Sequence, residues 1–347
     1  MKMRRASAWA LAGLVVICVL KASGADQPGG TALQQAGLPA PATGDTVRIS
    51  VWQAAVLGVV EGLTEYLPVS STGHLILVGD WLGLGRPSDQ HGALERKFVA
   101  SPAVNSFEIV IQLGAVLAVL GLYRRRVGQM VSGVAAWSVR LRRDAAPGLS
   151  DEQQRGLHLV GVLLVAFLPA AILGYLCHKQ IEKHLFGPVP VVCALAVGGV
   201  LMIVIEYVCW TRKKGPRLGQ VDRVRYRQAV VIGLAQCLAM WPGTSRSMVT
   251  IIAALVVGLD IVAAAEFSFL LALPTLGAAT VYSGMIHHAE LLQSAGPAGL
   301  LVGLAVSAVV AAVAVKWFVR WLTRHGLIPF GVYRIILAGV LIAYLAW

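Results

Sequence analysis

The sequence predicts an all-α polytopic membrane protein with six transmembrane helices and two re-entrant helical hairpins, arranged as an inverted-topology repeat. Two observations predict this fold class. Of the 347 residues, 57% are hydrophobic and only 13% are charged, and several apolar runs are long enough to cross a bilayer. Two further apolar segments are broken in the middle by proline and clustered polar residues. A soluble domain of this size would not carry so many apolar runs.

The six predicted crossings are apolar runs of about 20 residues, the length of helix that spans the hydrocarbon core. A segment in the bilayer must satisfy its backbone N–H and C=O groups internally, so each run is predicted to be helical. The runs lie at about residues 104–123, 156–176, 188–210, 263–283, 298–320 and 328–347.

The two broken segments, residues 52–84 and 229–259, are apolar at both ends and are interrupted by LPVSSTGH and by WPGTSRS. Proline ends a helix, and irregular backbone at membrane depth is tolerated only where it is buried in protein or lines a cavity. Each segment is therefore predicted to form a hairpin of two half-helices that enters and leaves on one side.

The basic residues behind the net charge of +12 are concentrated in alternate connections between the apolar runs. Lys and Arg number 7, 7 and 3 in residues 124–155, 211–228 and 316–327, against 3, 2 and 0 in residues 85–103, 177–187 and 284–297. The positive-inside rule places the richer connections in the cytoplasm. The first broken segment then enters from outside and the second from the cytoplasm. Since the charges form no stripe with interleaved aromatics, no nucleic-acid partner is expected.

The two broken segments, which are predicted to enter from opposite sides, are also weakly similar in sequence. VLGVVEGLTEYLPVSSTGH in the first parallels VIGLAQCLAMWPGTSRSM in the second. The aligned pairs are Gly58 with Gly233, Glu61 with Gln236 and, after a one-residue slip, Pro68 with Pro242. The half-repeats are predicted at about residues 50–210 and 229–347. Inverted repeats with discontinuous helices place a binding site near the midplane, where helix N-termini point at anions.

The N-terminal region is predicted to lie outside the membrane domain. Residues 1–25 resemble a secretory signal peptide, with a basic start, a short apolar core and small residues before Ala25, although an uncleaved anchor is the alternative. Residues 26–44 are rich in Gly, Pro, Ala and Gln and are predicted to be a flexible tether. Residues 45–347 then form a single membrane domain. The five cysteines show no CxxC spacing, which predicts neither a zinc site nor a disulfide framework.

The first break contains side chains typical of a catalytic site. Glu61 and Glu65 are four residues apart, so they share a helix face and can act together on a metal, a proton or a phosphate oxygen. A solvated stripe is the alternative, but carboxylates inside membranes usually line functional cavities. Ser70 or Ser71 can cap the second half-helix, and His74 lies three residues after Ser71 on the same face, as in a nucleophile with its base.

The second break places Thr244, Ser245 and Ser247 around Arg246 at the start of another half-helix. An arginine fork with neighbouring hydroxyl and backbone N–H groups suits a phosphate. The alternative is a surface arginine that snorkels to the interface, but such arginines lie at the ends of spans. The two breaks together therefore predict a phosphate-binding site.

At these residues the chain resembles a known family. GVVEGLTEYLPVSSTGHL and QCLAMWPGTSRSMVTI are similar to the signature regions of bacterial undecaprenyl-diphosphate phosphatases of the bacitracin-resistance type, and the resemblance covers about residues 50–347. It implies a membrane hydrolase that removes one phosphate from undecaprenyl diphosphate, so that the carrier lipid is reused for peptidoglycan. The implicated positions are Glu61, Glu65, Ser70, Ser71, Thr72, His74, Ser245, Arg246 and Ser247.

The resemblance also sets expectations about location and partners. The protein is expected in the bacterial inner membrane, with its site facing the periplasm and a polyprenyl diphosphate lipid as its substrate. The oligomeric state stays open, a homodimer included. A transporter or flippase for an isoprenyl phosphate is the competing function, because inverted repeats are typical of transporters. Ser71 and His74 beside paired glutamates favour the enzyme, since a carrier has no evident use for a nucleophile and base.

The chemical steps follow from charge balance and spacing. A diphosphate beside ionised Glu61 and Glu65 carries more negative charge than Arg246 alone neutralises, so Mg²⁺ or Ca²⁺ on the two carboxylates is expected. A proton shared by the carboxylates is the alternative. Ser71 is predicted to attack the terminal phosphorus while His74 or Glu65 accepts its proton. Direct attack by water is the rival route. The remaining contacts to phosphate oxygens are assigned to Ser70, Thr72, Thr244, Ser245, Arg246 and Ser247.

Overall fold

The computed structural model describes residues 48–84, 102–142, 148–185, 188–211 and 217–346. The predicted signal peptide and tether lie outside these ranges. Within them the chain folds into α-helices joined by short connections, without an extended β-sheet. The helices are α1 Val51–Thr64, α2 Ser71–Trp81, α3 Pro102–Leu122, α4 Arg124–Arg142, α5 Asp151–Leu185, α6 Pro188–Thr211, α7 Tyr226–Gln236, α8 Arg246–Val256, α9 Ile261–Ser294, α10 Gly296–His325 and α11 Ile328–Ala346.

Five of the described helices contain stretches long and apolar enough to cross a membrane, which makes the chain a multi-pass membrane protein. These stretches are Val104–Leu122, Asp151–Cys177, Val189–Val208, Ile261–Val281 and Gly296–His325. They coincide with five of the six predicted crossings. The sixth falls on α11, whose apolar stretch Ile328–Tyr344 is shorter than the other five.

Both predicted breaks are present in the backbone. The first helix of the first pair ends at Thr64, and the second begins at Ser71 after a run of turns that contains Pro68. In the second pair, α7 is followed by a short 3₁₀ turn, Cys237–Met240, before α8 begins at Arg246. Each apolar segment is therefore two helices, as the prolines and hydroxyl residues predict.

Close helix contacts depend on glycine in both halves. The helix α1 packs on α10, and a Cβ on Gly58 would lie 2.6 Å from the carbonyl oxygen of Gly303. In the other half α7 packs on α5, and a Cβ on Gly233 would lie 2.5 Å from the carbonyl oxygen of Ala166. Distances this short leave no room for a side chain, so only glycine permits these backbones to approach.

Acidic side chains fix the start of two long helices. Asp260 accepts a hydrogen bond from the backbone N–H of Ala263 at 2.7 Å and so caps α9. The Glu206 carboxylate, from α6, accepts hydrogen bonds from the N–H groups of Leu327 and Ile328 at 2.6 Å each. A negative charge is favourable at a helix N-terminus, where backbone donors are unpaired. Glu206 thereby joins α6 to α11, the helix against which α6 packs.

Candidate active site

The two breaks line a common cavity of about 150 Å³. This volume accommodates several water molecules or a phosphate group, because one water needs only about 10–15 Å³ on this measure. The start of α2 and the start of α8 both reach it. The lining residues are Glu65, Ser70, Ser71, Thr72, Gln112, Ala239, Trp241, Pro242, Gly243, Ser245, Arg246 and Leu276.

Two serines in an unusual backbone conformation precede the helices that meet at the cavity. Ser70 has φ 74° and Ser245 has φ 71°, and they are the only non-glycine residues with positive φ in the described parts of the chain. This conformation costs roughly 1–3 kcal/mol per residue and occurs mostly at functional sites. Each serine is immediately followed by a helix, so the unpaired N–H groups of two helix N-termini are directed to one cavity, which favours an anion there.

A chain of hydrogen bonds joins the two breaks inside the cavity. The Ser71 hydroxyl donates to Glu65 Oε2 at 2.9 Å, and Arg246 Nη2 donates to Glu65 Oε1 at 3.2 Å. The side chains of Glu65 and Arg246 are only 7% and 9% exposed, so little water screens this ion pair. The structure therefore brings together a serine hydroxyl, a carboxylate and a guanidinium group from the two breaks.

Further contacts hold Arg246 at this position. Its Nη1 donates to the carbonyl oxygen of Ser268 at 3.1 Å, and its guanidinium carbon lies 5.8 Å from the centre of the Tyr66 ring. The Ser268 hydroxyl in turn pairs with that of Thr250 at 2.6 Å. The guanidinium is thus positioned by α9 and an aromatic face as well as by Glu65.

The predicted phosphate-binding serines of the second break differ in their surroundings. Ser245 lines the cavity and accepts a hydrogen bond from the backbone N–H of Met248 at 3.3 Å, so it caps α8. Ser247 is fully buried and donates to the carbonyl oxygen of Leu67 at 2.9 Å. Ser247 therefore joins the second break to the first, and it is not among the residues that line the cavity.

Glu61 lies one turn before Glu65 on α1 and is fully buried. Apart from the neighbouring Glu65 carboxyl group, its carboxylate oxygens have no hydrogen-bond partner among the described residues. A buried carboxylate without a donor is costly unless a cation or a proton compensates it. The donor set of two neighbouring carboxylates consists of oxygen atoms, which are the ligands that Mg²⁺ and Ca²⁺ prefer. The two carboxylates supply only part of a ligand set, because the described residues contain no group of three or more His, Cys, Asp or Glu side chains that could hold a metal ion, and Glu61 does not line the cavity. The remaining ligands of a divalent cation would have to be substrate oxygens and water.

Two further predicted site residues, His74 and Thr244, are not among the residues that line the cavity. The ring nitrogens of His74 pair with the carbonyl oxygen of Ser70 at 2.7 Å and with the Tyr333 hydroxyl at 2.6 Å. The Ser71 hydroxyl is bonded to Glu65, not to the imidazole. Thr244 is half-buried but is not among the lining residues, whereas Thr72 lines the cavity and is exposed. Of the two predicted proton acceptors for Ser71, the geometry thus favours Glu65 over His74.

Comparison with known proteins places the chain in a family. Residues 54–340 match the family model described as bacitracin resistance protein BacA. The chain belongs to the BacA family. The match includes both breaks and every residue that lines the cavity.

Curated relatives of this BacA-family chain carry one name. An undecaprenyl-diphosphatase of Sorangium cellulosum is 48% identical over 297 residues, which are 85% of this chain and 86% of the relative. A protein of the same name from Aromatoleum aromaticum is 41% identical, over 84% of this chain and 93% of the relative. Another, from Bacillus subtilis, is 36% identical, over 85% of this chain and 99% of the relative.

The BacA-family fold also brings a residue to the site region that the sequence analysis does not identify. Arg334 is 0% exposed, and its guanidinium donates to backbone carbonyl oxygens of both breaks. Its sequence signal is an arginine inside an apolar run, the same signal that identifies Arg246. Gln112, from α3, lines the cavity although it is not among the predicted site residues.

Proposed function

We propose that this chain is an undecaprenyl diphosphatase, which hydrolyses undecaprenyl diphosphate to undecaprenyl phosphate and inorganic phosphate. This activity returns the carrier lipid to peptidoglycan synthesis and gives resistance to bacitracin. Membership of the BacA family and the shared name of the relatives support the reaction. At the level of residues, the proposal is carried by the Ser71 hydroxyl, which donates to Glu65 in a cavity reached by two helix N-termini.

The proposed reaction uses the groups of both breaks. Ser71 Oγ attacks the terminal phosphorus, its proton passes to Glu65, and the bond from that phosphorus to the bridging oxygen breaks, releasing undecaprenyl phosphate. Water then hydrolyses the phosphoserine. The N–H groups at the start of α2 and α8, with Arg246, face the negative charge that accumulates on the phosphoryl oxygens. The geometry is also compatible with water as the direct nucleophile and Ser71 as a hydrogen-bond donor.

A divalent cation completes the proposed site. Glu61 and Glu65 would hold Mg²⁺ or Ca²⁺, which when bound neutralises charge on the diphosphate oxygens. No N–H or O–H donor among the described residues bonds the Glu61 carboxylate, whose carboxyl neighbour is Glu65. Glu65 is already shared between Ser71 and Arg246, and it would serve the cation and the serine together.

We also propose the finer architecture: six crossings and two re-entrant hairpins that form an inverted-topology repeat. Three packing relations support a two-fold arrangement, because α1 packs on α10 as α7 packs on α5, α3 packs on α9, and α6 packs on α11. The aligned glycines Gly58 and Gly233 make the equivalent close contacts. The distribution of basic residues supports a cavity that opens to the periplasmic side of the inner membrane.

The proposed function is tested by phosphate release from a polyprenyl diphosphate by protein purified in detergent, where no membrane separates two compartments. We expect phosphate release with Mg²⁺ or Ca²⁺, and Arg246→Ala should abolish it. The exposed Arg225, at the start of α7, gives a matched control as Arg225→Ala, which should leave the rate unchanged.

A flippase for an isoprenyl phosphate is the second candidate, and the two-fold packing of broken helices is the observation that favours it. The same assay separates the two functions, since transport leaves no product in detergent. Absence of phosphate release with any divalent cation, from protein that still binds the lipid, would reject the hydrolase and favour transport.

A further inference from the structure

Arg334 is the largest fully buried side chain among the described residues. It lies in α11, and no carboxylate of the described residues is within ion-pair distance of its guanidinium. An arginine inside a membrane protein is costly unless many hydrogen bonds compensate for its lost hydration. The positive charge of Arg334 is therefore held by backbone carbonyl oxygens alone.

These carbonyl oxygens belong to three separate segments. Nη2 donates to Gly243 at 2.9 Å and to Ala194 at 3.0 Å. Longer contacts run from Nε to Leu195 at 3.4 Å and from Nη1 to Pro68 at 3.5 Å. One side chain thus contacts the first break, the second break and the helix α6.

The carbonyl oxygens that Arg334 contacts in the two breaks lie at the same distance along the chain from the strained serines. Pro68 lies two residues before Ser70, and Gly243 lies two residues before Ser245. Ser70 and Ser245 are the two serines with positive φ that precede α2 and α8. Arg334 therefore fixes the backbone at the same distance ahead of each strained serine, and so at the point that sets the direction of each helix N-terminus.

We propose that Arg334 is a positioning residue for the hydrolysis: it holds the two breaks in register, so that the N-termini of α2 and α8 face one phosphoryl group. The inference rests on the proposed function. Arg334 is not among the residues that line the cavity, so it acts through the backbone of Pro68 and Gly243 and not by contact with substrate.

A guanidinium suits this role better than an ammonium group. Arginine has five N–H donors fixed in one plane, so it can bond carbonyl oxygens in several directions, whereas lysine has a compact group with three donors on a flexible stem. Arg334→Lys keeps the charge and removes the planar fork. It therefore separates the geometric role from a simple electrostatic one.

Gly198 gives a second, independent way to disturb the guanidinium. A Cβ on Gly198 would collide with Arg334 Nη2, and it would lie 3.0 Å from Arg334 Cζ and 3.0 Å from Sδ of Met248, at the end of a flexible side chain. Gly198→Ala should therefore displace the guanidinium, although Gly198 is not among the residues that line the cavity. The variant leaves Arg334 and all proposed catalytic side chains unchanged.

The test compares Arg334→Lys and Gly198→Ala with wild type in detergent, by steady-state kinetics on a polyprenyl diphosphate and by inhibition with inorganic phosphate. We expect kcat to fall about 10- to 100-fold with little change in KM, since misplacement by about 1 Å can cost a factor of about 100. The phosphate concentration for half inhibition should rise about tenfold, because the helix N-termini no longer face one anion. Arg126→Lys, which alters an ion pair with Glu266, should change none of these values.

The proposal is overturned if both variants keep kcat and phosphate inhibition within about twofold of wild type. It is equally overturned if they lose only thermal stability and yield, with wild-type kcat per folded protein, because a purely structural role predicts that result. If Arg334→Lys fails to fold, kcat and phosphate inhibition of Gly198→Ala alone decide whether the proposal stands.

Failure of the proposed function gives a different result. If wild type itself releases no phosphate, the hydrolase proposal is rejected, and thermal unfolding with inorganic phosphate then tests Arg334. Stabilisation of wild type but not of the variants supports the positioning role. Equal stabilisation of all proteins, or of none, rejects it.

Discussion

At the scale of single residues, Glu65 has a partner in each break. Its Oε1 accepts a hydrogen bond from Arg246, and its Oε2 accepts one from the Ser71 hydroxyl. A carboxylate so placed orients the serine hydroxyl before substrate arrives, which lowers the entropy cost of the reaction. The cost of this arrangement is negative charge beside an anionic substrate, which the two helix N-termini and Arg246 must offset.

Ser71→Ala tests whether the serine is the nucleophile. Loss of a nucleophile typically lowers kcat by about 10⁴ or more, whereas loss of one positioning hydrogen bond costs about 10²–10³. We expect the larger effect, and rapid quench of wild type with substrate labelled in its terminal phosphate should leave label on the protein. The exposed Ser132 provides the control as Ser132→Ala. A tenth of normal turnover in Ser71→Ala, without labelled wild type, would leave water as the attacking group.

Metal removal tests the proposed cation. A chelator should abolish phosphate release, and added Mg²⁺ or Ca²⁺ should restore it. Glu61→Gln should raise the metal concentration for half-maximal activity, because it removes a charge from the buried carboxylate that no N–H or O–H donor among the described residues bonds. Glu152→Gln, at an exposed position of α5, is the matched control. Full activity in chelator would instead indicate a proton shared between Glu61 and Glu65.

The sequence predicts a shared site of Glu65, Ser71 and Arg246 because their hydroxyl, carboxylate and guanidinium groups stand out against apolar surroundings. It does not predict the partners of His74 and Arg334. Tyr333 is separated from His74 by 259 residues, and no local spacing reveals that contact. Among the described residues, Arg334 donates to backbone carbonyl oxygens. Every residue type has a backbone carbonyl, so the sequence does not show which residues accept these hydrogen bonds.

At the scale of elements, proline and clustered hydroxyl residues predict both helix breaks, but the sequence reading misses α4. The chain from Arg124 to Arg142 is a 19-residue helix with arginines at both ends, within a segment that the sequence predicts to be a cytoplasmic connection. The helix is too polar to be recognised as an apolar membrane-spanning run. It is stabilised by packing on α5, where a Cβ on Gly133 would lie 2.8 Å from the backbone nitrogen of Leu157.

Gly58→Ala tests the close contact between α1 and α10. The added methyl group would meet the backbone of Gly303, which cannot rotate away, so the helices must separate. Overpacking of this kind costs about 1–3 kcal/mol of stability. We expect a lower midpoint of thermal unfolding in detergent. Gly121→Ala in α3 is the control, since no atom of the described residues beyond its own helix turn lies within 4 Å of a Cβ there, and helix propensity makes the variant neutral or stabilising. Equal midpoints for the two variants would contradict the contact.

At the scale of the whole molecule, orientation in the membrane decides from which side substrate enters. The prediction rests on basic residues in the connections and not on the helices themselves. An inverted repeat makes this signal necessary, because its two halves are structurally equivalent with respect to the bilayer. Charge asymmetry alone then distinguishes the two faces.

Cysteine labelling in cells with a permeabilised outer layer tests the orientation. Gln293 and Gln220 are both exposed and lie on opposite predicted sides. Gln293→Cys should react with an impermeant thiol reagent, whereas Gln220→Cys should react only after the inner membrane is opened. Wild type, which carries the exposed Cys193, measures the background. The reverse pattern would place the cavity on the cytoplasmic side.

The long sequence separation of the cavity's contacts has a consequence for biogenesis. Glu65 and Arg246 are 181 residues apart, and Pro68 and Arg334 are 266 residues apart. At a synthesis rate of about 5–20 residues per second, Arg334 leaves the ribosome about 13–53 s after Pro68. During that interval the nascent chain lacks the contacts of Arg334 to the two breaks, and until Arg246 is made Glu65 also lacks its ion-pair partner. We therefore expect a chain that lacks α11 to hydrolyse the diphosphate lipid more slowly than the full chain, because the contacts of Arg334 to both breaks are missing.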